Sequence, residues 1–529
     1  MPVATARTIV LQGTVGHLVD VQIDVSPGVV ATSLVGRADA SISEGRERCR
    51  AAVTNSGFSW PNTRRLTILL SPAGLPKRGS HVDLAVAVGV VFATDERLKR
   101  VPLDGSVLIG ELSLDGLVRP VPGVLPMALA AAAHGRRRIF VPEAQLAEAV
   151  LVPGLSVIGV RSLAQTVALL AGWEVPDAEQ VPLPARASLL RWRGEDRLVQ
   201  LDFADLRGLE EEKYAAEVAA AGGHHLLLSG PKGAGKTSLA ERIPGLLPDL
   251  DEEEALELTA VLSLGDDLDP AGGLVRRPPF AAPHHSASRT SLLGGGSGRV
   301  RPGMVSRCHG GVVVLDEFPL FSADLLEALR QPLESGEVTL ARGEESATFP
   351  ARCLFVLACN PCPCGNYTAH PGHSRCDCEE SARRRYRRKL SGPLIDRVDI
   401  VREVTPSALG TSPGYRAAES SAVVRERVTA ARRRQRERYG GQGWRLNAEA
   451  PGPALSACWP LEPEGRTLVD QAVGDGLLTQ RGGVRVHRLA WTIADLGGVE
   501  RPGVAEVALA LALRTGAPLP AAHLTGERR

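Results

Sequence analysis

At 529 residues the chain is too long for one hydrophobic core, and several domains are expected. Its 44% hydrophobic and 23% charged content is that of an ordinary globular protein and excludes fibrous and low-complexity classes. A net charge of +1 gives no global field, so a polyanion would have to be met by local patches.

Only six of the 61 basic residues are lysine, so scattered arginines are uninformative and only placed ones are weighed. The opening MPVATARTIVLQGTVG lacks the charged-then-apolar order of a signal peptide. Apolar runs such as 124–133 reach about ten residues, short of a membrane span. Nine cysteines in this setting argue against a disulfide framework. The expectation is a soluble, cytoplasmic protein with no membrane partner.

Residues 1–173 alternate strand-like runs (17–29, 64–74, 105–118) with alanine-rich helical stretches (84–92, 126–134). That is an α+β pattern. Residues 174–195, rich in proline, alanine and charge, read as a linker. From 196 to 405, buried-type strands (HHLLLSG, GGVVVLDE, RCLFVLACN) alternate with helices, which predicts a parallel, doubly wound α/β sheet. Residues 420–520 read as helical and arginine-rich. No internal repeat is evident.

GPKGAGKT, residues 230–237, fits G-x-x-x-x-G-K-[ST] between a predicted strand and a predicted helix. Gly230, Pro231, Lys232, Gly233, Ala234 and Gly235 would turn backbone N–H groups onto phosphate oxygens, and the helix opening through Ser238 adds its positive dipole end. Lys236 would reach the β- and γ-phosphates, and Thr237 would bind Mg²⁺. In GGVVVLDEF, Asp316 would hold the Mg²⁺ shell and Glu317 would polarise the attacking water as general base. The next buried strand ends in Asn360, where a polar side chain can orient that water. An isolated asparagine is more often a turn former, so this role leans on its neighbours. ATP and Mg²⁺ are the expected cofactors.

GEVTLARGEESATFPAR (336–352) reads as two short strands with Arg342 at the tip, and LLGGGSGRVRPGM (292–304) as a flexible loop carrying Arg299 and Arg301. Arginines so placed could contact the phosphates of a polyanion, contacts that need no base specificity. The C-x-C pairs Cys362/Cys364 and Cys376/Cys378, separated by eleven residues, can close a tetrahedral thiolate site for a structural Zn²⁺. His370 and His373 are substitute ligands. RRRYRRKLSG (383–392) puts six basic residues within seven positions, with Tyr386 available for stacking on a base.

The strings DFADLRGLEEEKYAAEVAAAGGHHLLLSGPKGAGKT, PHHSAS, LLGGGSGRVRPGMVSRCHGGVVVLDEF, LLEALRQPLESGEVTLARG, ACNPCPCGNY, LSGPLIDRVD and RLAWTIADLGG cover nearly the whole chain. On them it resembles the YifB/ComM family of magnesium-chelatase-like AAA+ ATPases. The resemblance implies three domains: Lon-protease-like, AAA+ and a helical lid. It implies a homohexameric ring with ATP sites between subunits and the 336–352 hairpin pointing into the pore. Arg397 would complete the neighbour's site as a finger, a role that can contribute ~10³–10⁵ in rate. Arg481 would contact the γ-phosphate from the lid, although Thr479 and Gln480 depart from the family's Ser-Ala before that arginine. The implied activity is that of a DNA helicase driving branch migration in recombination or natural transformation. A chelatase-type remodeller acting with partner subunits, or a Lon-like protease regulator, are the alternatives.

Lon-type catalysis needs a serine and a lysine base. Here the serine position falls on His81 or Val82, the lysine position falls on Leu125, and no lysine lies between Lys99 and Lys213. Ser80 has no evident partner in the sequence. The expected domain keeps the fold without the protease chemistry.

Overall fold

The computed structural model describes residues 3–182 and 201–520, apart from 266–267, 269–272, 297–299, 343–344, 368–375, 391–393 and 405–418. Among the described residues no helix is long and apolar enough to cross a membrane.

The first unit is built on a four-stranded sheet ordered Ala4–Gln12, Val15–Ser26, Arg65–Ser71, Thr32–Val35. The period-2 pattern of Val19, Val21 and Ile23 turns one face inward, and all three are fully buried. Helix Asp83–Thr94 is apolar on every side and lies in the core accordingly. A second, parallel sheet of Ser106–Leu108, Arg138–Pro142 and Ser156–Val160 packs with helix Val124–Ala133. The stretch after Trp173 is bound back onto this unit, because Gln165 donates to the Pro176 carbonyl at 3.0 Å and Arg161 to that of Ala178 at 3.3 Å.

The second unit has a five-stranded, wholly parallel sheet ordered Phe280–Ala281, Val312–Leu315, Leu354–Cys359, Leu226–Ser229, Ile400–Glu403. Its inner strands are continuous apolar runs because both faces are covered. Strand 226–229 lies between 354–359 and 400–403, so the chain leaves it at an interior position, and the crevice beyond the strands' carboxyl ends opens there.

The helices Ser421–Arg438, Pro463–Gly474, Gln480–Gly497 and Val504–Thr515 form the C-terminal unit. It shares one continuous core with the sheet unit. Arg427 pairs with Glu217 at 2.7 Å, and buried Gln435 donates to the Ala221 carbonyl at 3.0 Å. The sheet unit up to Val404 and the helices from Ser421 onward are therefore not separate hydrophobic cores.

The expected hairpin is present, with Glu337–Arg342 antiparallel to Glu345–Pro350. It is not wholly solvated. Ala347 and Phe349 pack with Leu264 and with Leu11 of the first unit. A Cβ on Gly13 would fall 2.6 Å from the Thr348 carbonyl oxygen, so the 12–15 turn has to be tight against the hairpin.

Candidate functional site

The phosphate loop follows strand 226–229 and opens helix Lys236–Ala240. Its glycines are required by geometry. Gly233 and Gly235 have φ of 77° and 91°, where a Cβ is strained, and a Cβ on Gly230 would meet the Val404 carbonyl oxygen at 2.3 Å. Ala234 is buried beneath the loop, while Ser238 lies exposed beyond it.

Five predicted residues converge here. Lys236 Nζ donates to the carbonyls of Gly230 at 2.6 Å and Pro231 at 2.8 Å, and to Asn360 Oδ1 at 3.2 Å. Burial lowers its pKa from the ordinary lysine value. The Thr237 hydroxyl donates to Asp316 Oδ2 at 2.8 Å, which brings two oxygen ligands suited to Mg²⁺ to one point. Asp316 Oδ1 accepts the Glu317 N–H at 2.8 Å. Glu317 itself adopts φ of 49°, a left-handed conformation costing a non-glycine residue about 1–2 kcal/mol. Strain of this kind concentrates at active sites, and it fixes how the general-base candidate leaves its strand.

Arg397 and Arg481 lie elsewhere. Arg397 Nε donates to Glu334 at 3.0 Å. Glu334's pKa is lowered by that bond and further by the charges of Arg397, Arg481 and Arg485. Arg485 in turn holds Asp399 at 2.5 Å, and Asp399 accepts the His225 N–H at 3.0 Å. Burial works against ionisation of Asp399, but Arg485 and His224 keep its pKa well below the ordinary value. His225 and Asp399 stand at the amino ends of strands 226–229 and 400–403. The phosphate loop leaves the carboxyl end, four residues or roughly 13 Å away. Arg481, whose charge acts on Glu334, is thus grouped with this end of the sheet and away from its own chain's phosphate loop. Neither Glu334 nor this network was foreseen, since nothing local marks a glutamate on helix Arg330–Ser335 as an arginine's partner.

The remaining predicted residues are dispersed. Arg301 pairs with Gly295 in a two-stranded ribbon and is exposed, whereas Arg299 lies outside the described residues. Arg342 ends its strand opposite Glu345. Tyr386 is corrected outright: it is buried and unavailable to stack on a base. Burial raises its pKa, as do the nearby Cys359 and Glu317, while the Asn360 backbone N–H meets its hydroxyl. The spacing of four between Ala382 and Tyr386 was the signal for an inward face on this basic helix.

The cysteines gather as expected. Cys362, Cys364, Cys376 and Cys378 place their Sγ atoms within 4.8 Å of one another. His370 and His373 lie outside the described residues. In the first unit, Val82 and Leu125 are fully buried core residues. Ser80 does have a partner, donating to the Glu111 carboxylate, while the buried Lys77 donates to the Pro72 carbonyl.

Family models agree with this geometry. Magnesium chelatase, subunit ChlI matches residues 202–411; subunit ChlI of Mg-chelatase matches 21–145; the ChlI C-terminal model matches 418–514. The chain is 45% identical over 521 residues to an uncharacterized protein of Mycobacterium tuberculosis, covering 98% of this chain and all of the relative. It is 39% identical to YifB of Escherichia coli across 90% of each chain. It is 36% identical to Competence protein ComM of Haemophilus influenzae across 95% of each. With the phosphate loop, the Thr237–Asp316 pair and the parallel sheet in place, the chain belongs to the YifB/ComM family of magnesium-chelatase-like AAA+ ATPases.

Proposed function

We propose that this ATPase is a homohexameric ring motor acting on DNA, promoting branch migration during recombination or natural transformation. Lys236 and the loop amides bind the phosphates. Thr237 and Asp316 would hold Mg²⁺, which when bound would neutralise charge on the β- and γ-phosphates. Asn360 orients the attacking water, and Glu317 accepts its proton.

The observation that carries the ring is the position of Arg397 and Arg481. Both sit around Glu334, toward the amino ends of the strands and away from their own phosphate loop, which favours a site where a second copy supplies the arginine for the γ-phosphate. The first unit, taken as Lon-like in fold and without protease chemistry, supports the hairpin from below through Leu11. The DNA assignment leans on the hairpin strand ending at Arg342, on exposed Arg301, and on similarity to a relative named Competence protein ComM.

The test is ATP turnover and oligomeric state with and without a four-way DNA junction, beside Lys236→Ala. Stimulation of a hexamer by the junction is expected. A hexamer whose turnover ignores branched and single-stranded DNA removes the DNA reading and leaves a chelatase-type remodeller, which would respond to porphyrin with partner subunits instead.

A further inference from the structure

We propose that Cys362, Cys364, Cys376 and Cys378 bind one Zn²⁺ per chain, and that this ion clamps Asn360 and the basic helix Glu380–Leu390 against the phosphate site, so that metal loading sets the rate of ATP hydrolysis. The coupling rests on the ATPase function; the metal site stands without it.

The sulfurs already have metal spacing. Cys362 Sγ is 3.3 Å from Cys364 Sγ, and Cys376 Sγ is 3.6 Å from each of those two. A Zn–S bond of about 2.3 Å gives a tetrahedron with edges of about 3.8 Å, whereas a disulfide would need about 2.05 Å. Backbone N–H groups point at the sulfurs, from Cys364 to Cys378 Sγ at 3.4 Å and from Asn366 to Cys364 Sγ at 3.5 Å. Such donors orient metal-bound thiolates. A four-thiolate set selects Zn²⁺ over Mg²⁺ or Ca²⁺, and with no open position the site is structural.

Both arms of the cluster lead to the nucleotide chemistry. Cys362 stands two residues beyond Asn360, whose side chain accepts from Lys236. Gly365 lies on the phosphate loop, since a Cβ there would come within 2.8 Å of the Lys232 side chain. The other arm, from Cys378, enters the basic helix within two residues. That helix packs on the Phe318–Leu320 turn that follows Glu317 and carries buried Tyr386 to the Asn360 backbone. Joining the arms through one ion fixes the water-orienting asparagine and the general base together.

The test uses the full chain. Metal content is measured as purified; the metal is then stripped by chelation under reducing conditions and Co²⁺ is added. One Zn²⁺ per chain is expected, and the Co²⁺ form should show tetrahedral d–d bands with sulfur-to-cobalt charge transfer. Both signals should be lost in Cys364→Ser and Cys378→Ser. Stripping should lower kcat on the order of 10²-fold, the scale of a misplaced catalytic group, with fluorescent-ATP affinity retained and turnover restored by Zn²⁺. No tetrahedral spectrum, or undiminished metal in both serine variants, overturns the site. An intact spectrum with kcat indifferent to stripping, or with ATP affinity lost in step with kcat, overturns the clamp. A loaded chain with no ATP turnover overturns the clamp together with the ATPase reading and leaves the metal site standing.

Discussion

Arg397 is bound to Glu334 of its own chain, Nε to carboxylate oxygen at 3.0 Å, on the side of the sheet away from the nucleotide loop that the same chain carries. Serving a neighbour's phosphate means exchanging this carboxylate for it. Arg397→Ala should therefore keep fluorescent-ATP binding and lose turnover by ~10³-fold or more. Mixed with Lys236→Ala chains it should regain part of that turnover, because a hybrid interface joins an intact loop to an intact arginine. Mixtures as inactive as either variant alone would rule out the shared site.

The phosphate-loop residues should separate by stage. Lys236→Ala should abolish nucleotide binding measured by fluorescence. Glu317→Gln should bind ATP and assemble but hydrolyse about 10²–10⁴-fold more slowly, the range of general acid–base contributions. Turnover near that of the parent chain in Glu317→Gln would remove it as the base.

His225 gives a pH signature. Its Nε2–H donates to the Leu333 carbonyl at 3.2 Å, while Nδ1 accepts the Phe355 N–H at 3.3 Å, so both nitrogens are used by the neutral ring. Burial lowers its pKa from 6.5 to about 4, against the pull of Asp399. The folded state thus disfavours the proton. Its contribution is present above about pH 6.5 and disappears as pH falls toward 4, a swing of about 3 kcal/mol. Denaturant unfolding of the parent chain and His225→Gln across this window should show a shallower pH slope in the variant; identical slopes would contradict the assignment.

Phe349 ties the hairpin to the first unit. It is fully buried with Leu264 and Leu11 beside it, and Phe349→Ala should cost about 3–5 kcal/mol of stability. Limited proteolysis should then cut within 336–352 faster than in the parent chain. An unchanged cleavage pattern would mean that the hairpin holds its place without this contact.

The sequence alone determined the chemistry of the nucleotide site, because that chemistry is local. Gly230 through Thr237 carry their own turn, Asp316 and Glu317 end an unmistakably buried strand, and two C-x-C pairs bring matched ligands within one loop. Tertiary structure decided everything that depends on chain segments meeting: Arg397 with Glu334 across 63 positions, Asp399 with His225 across 174, and Tyr386 turned inward onto Asn360 instead of outward to a ligand. A residue's own neighbours in sequence fix turns and periodicity, but an arginine's partner is set by strand order and strand length. Those brought Arg481 near Glu334, toward the amino ends of the strands, where no reading of the lid motif by itself could put it.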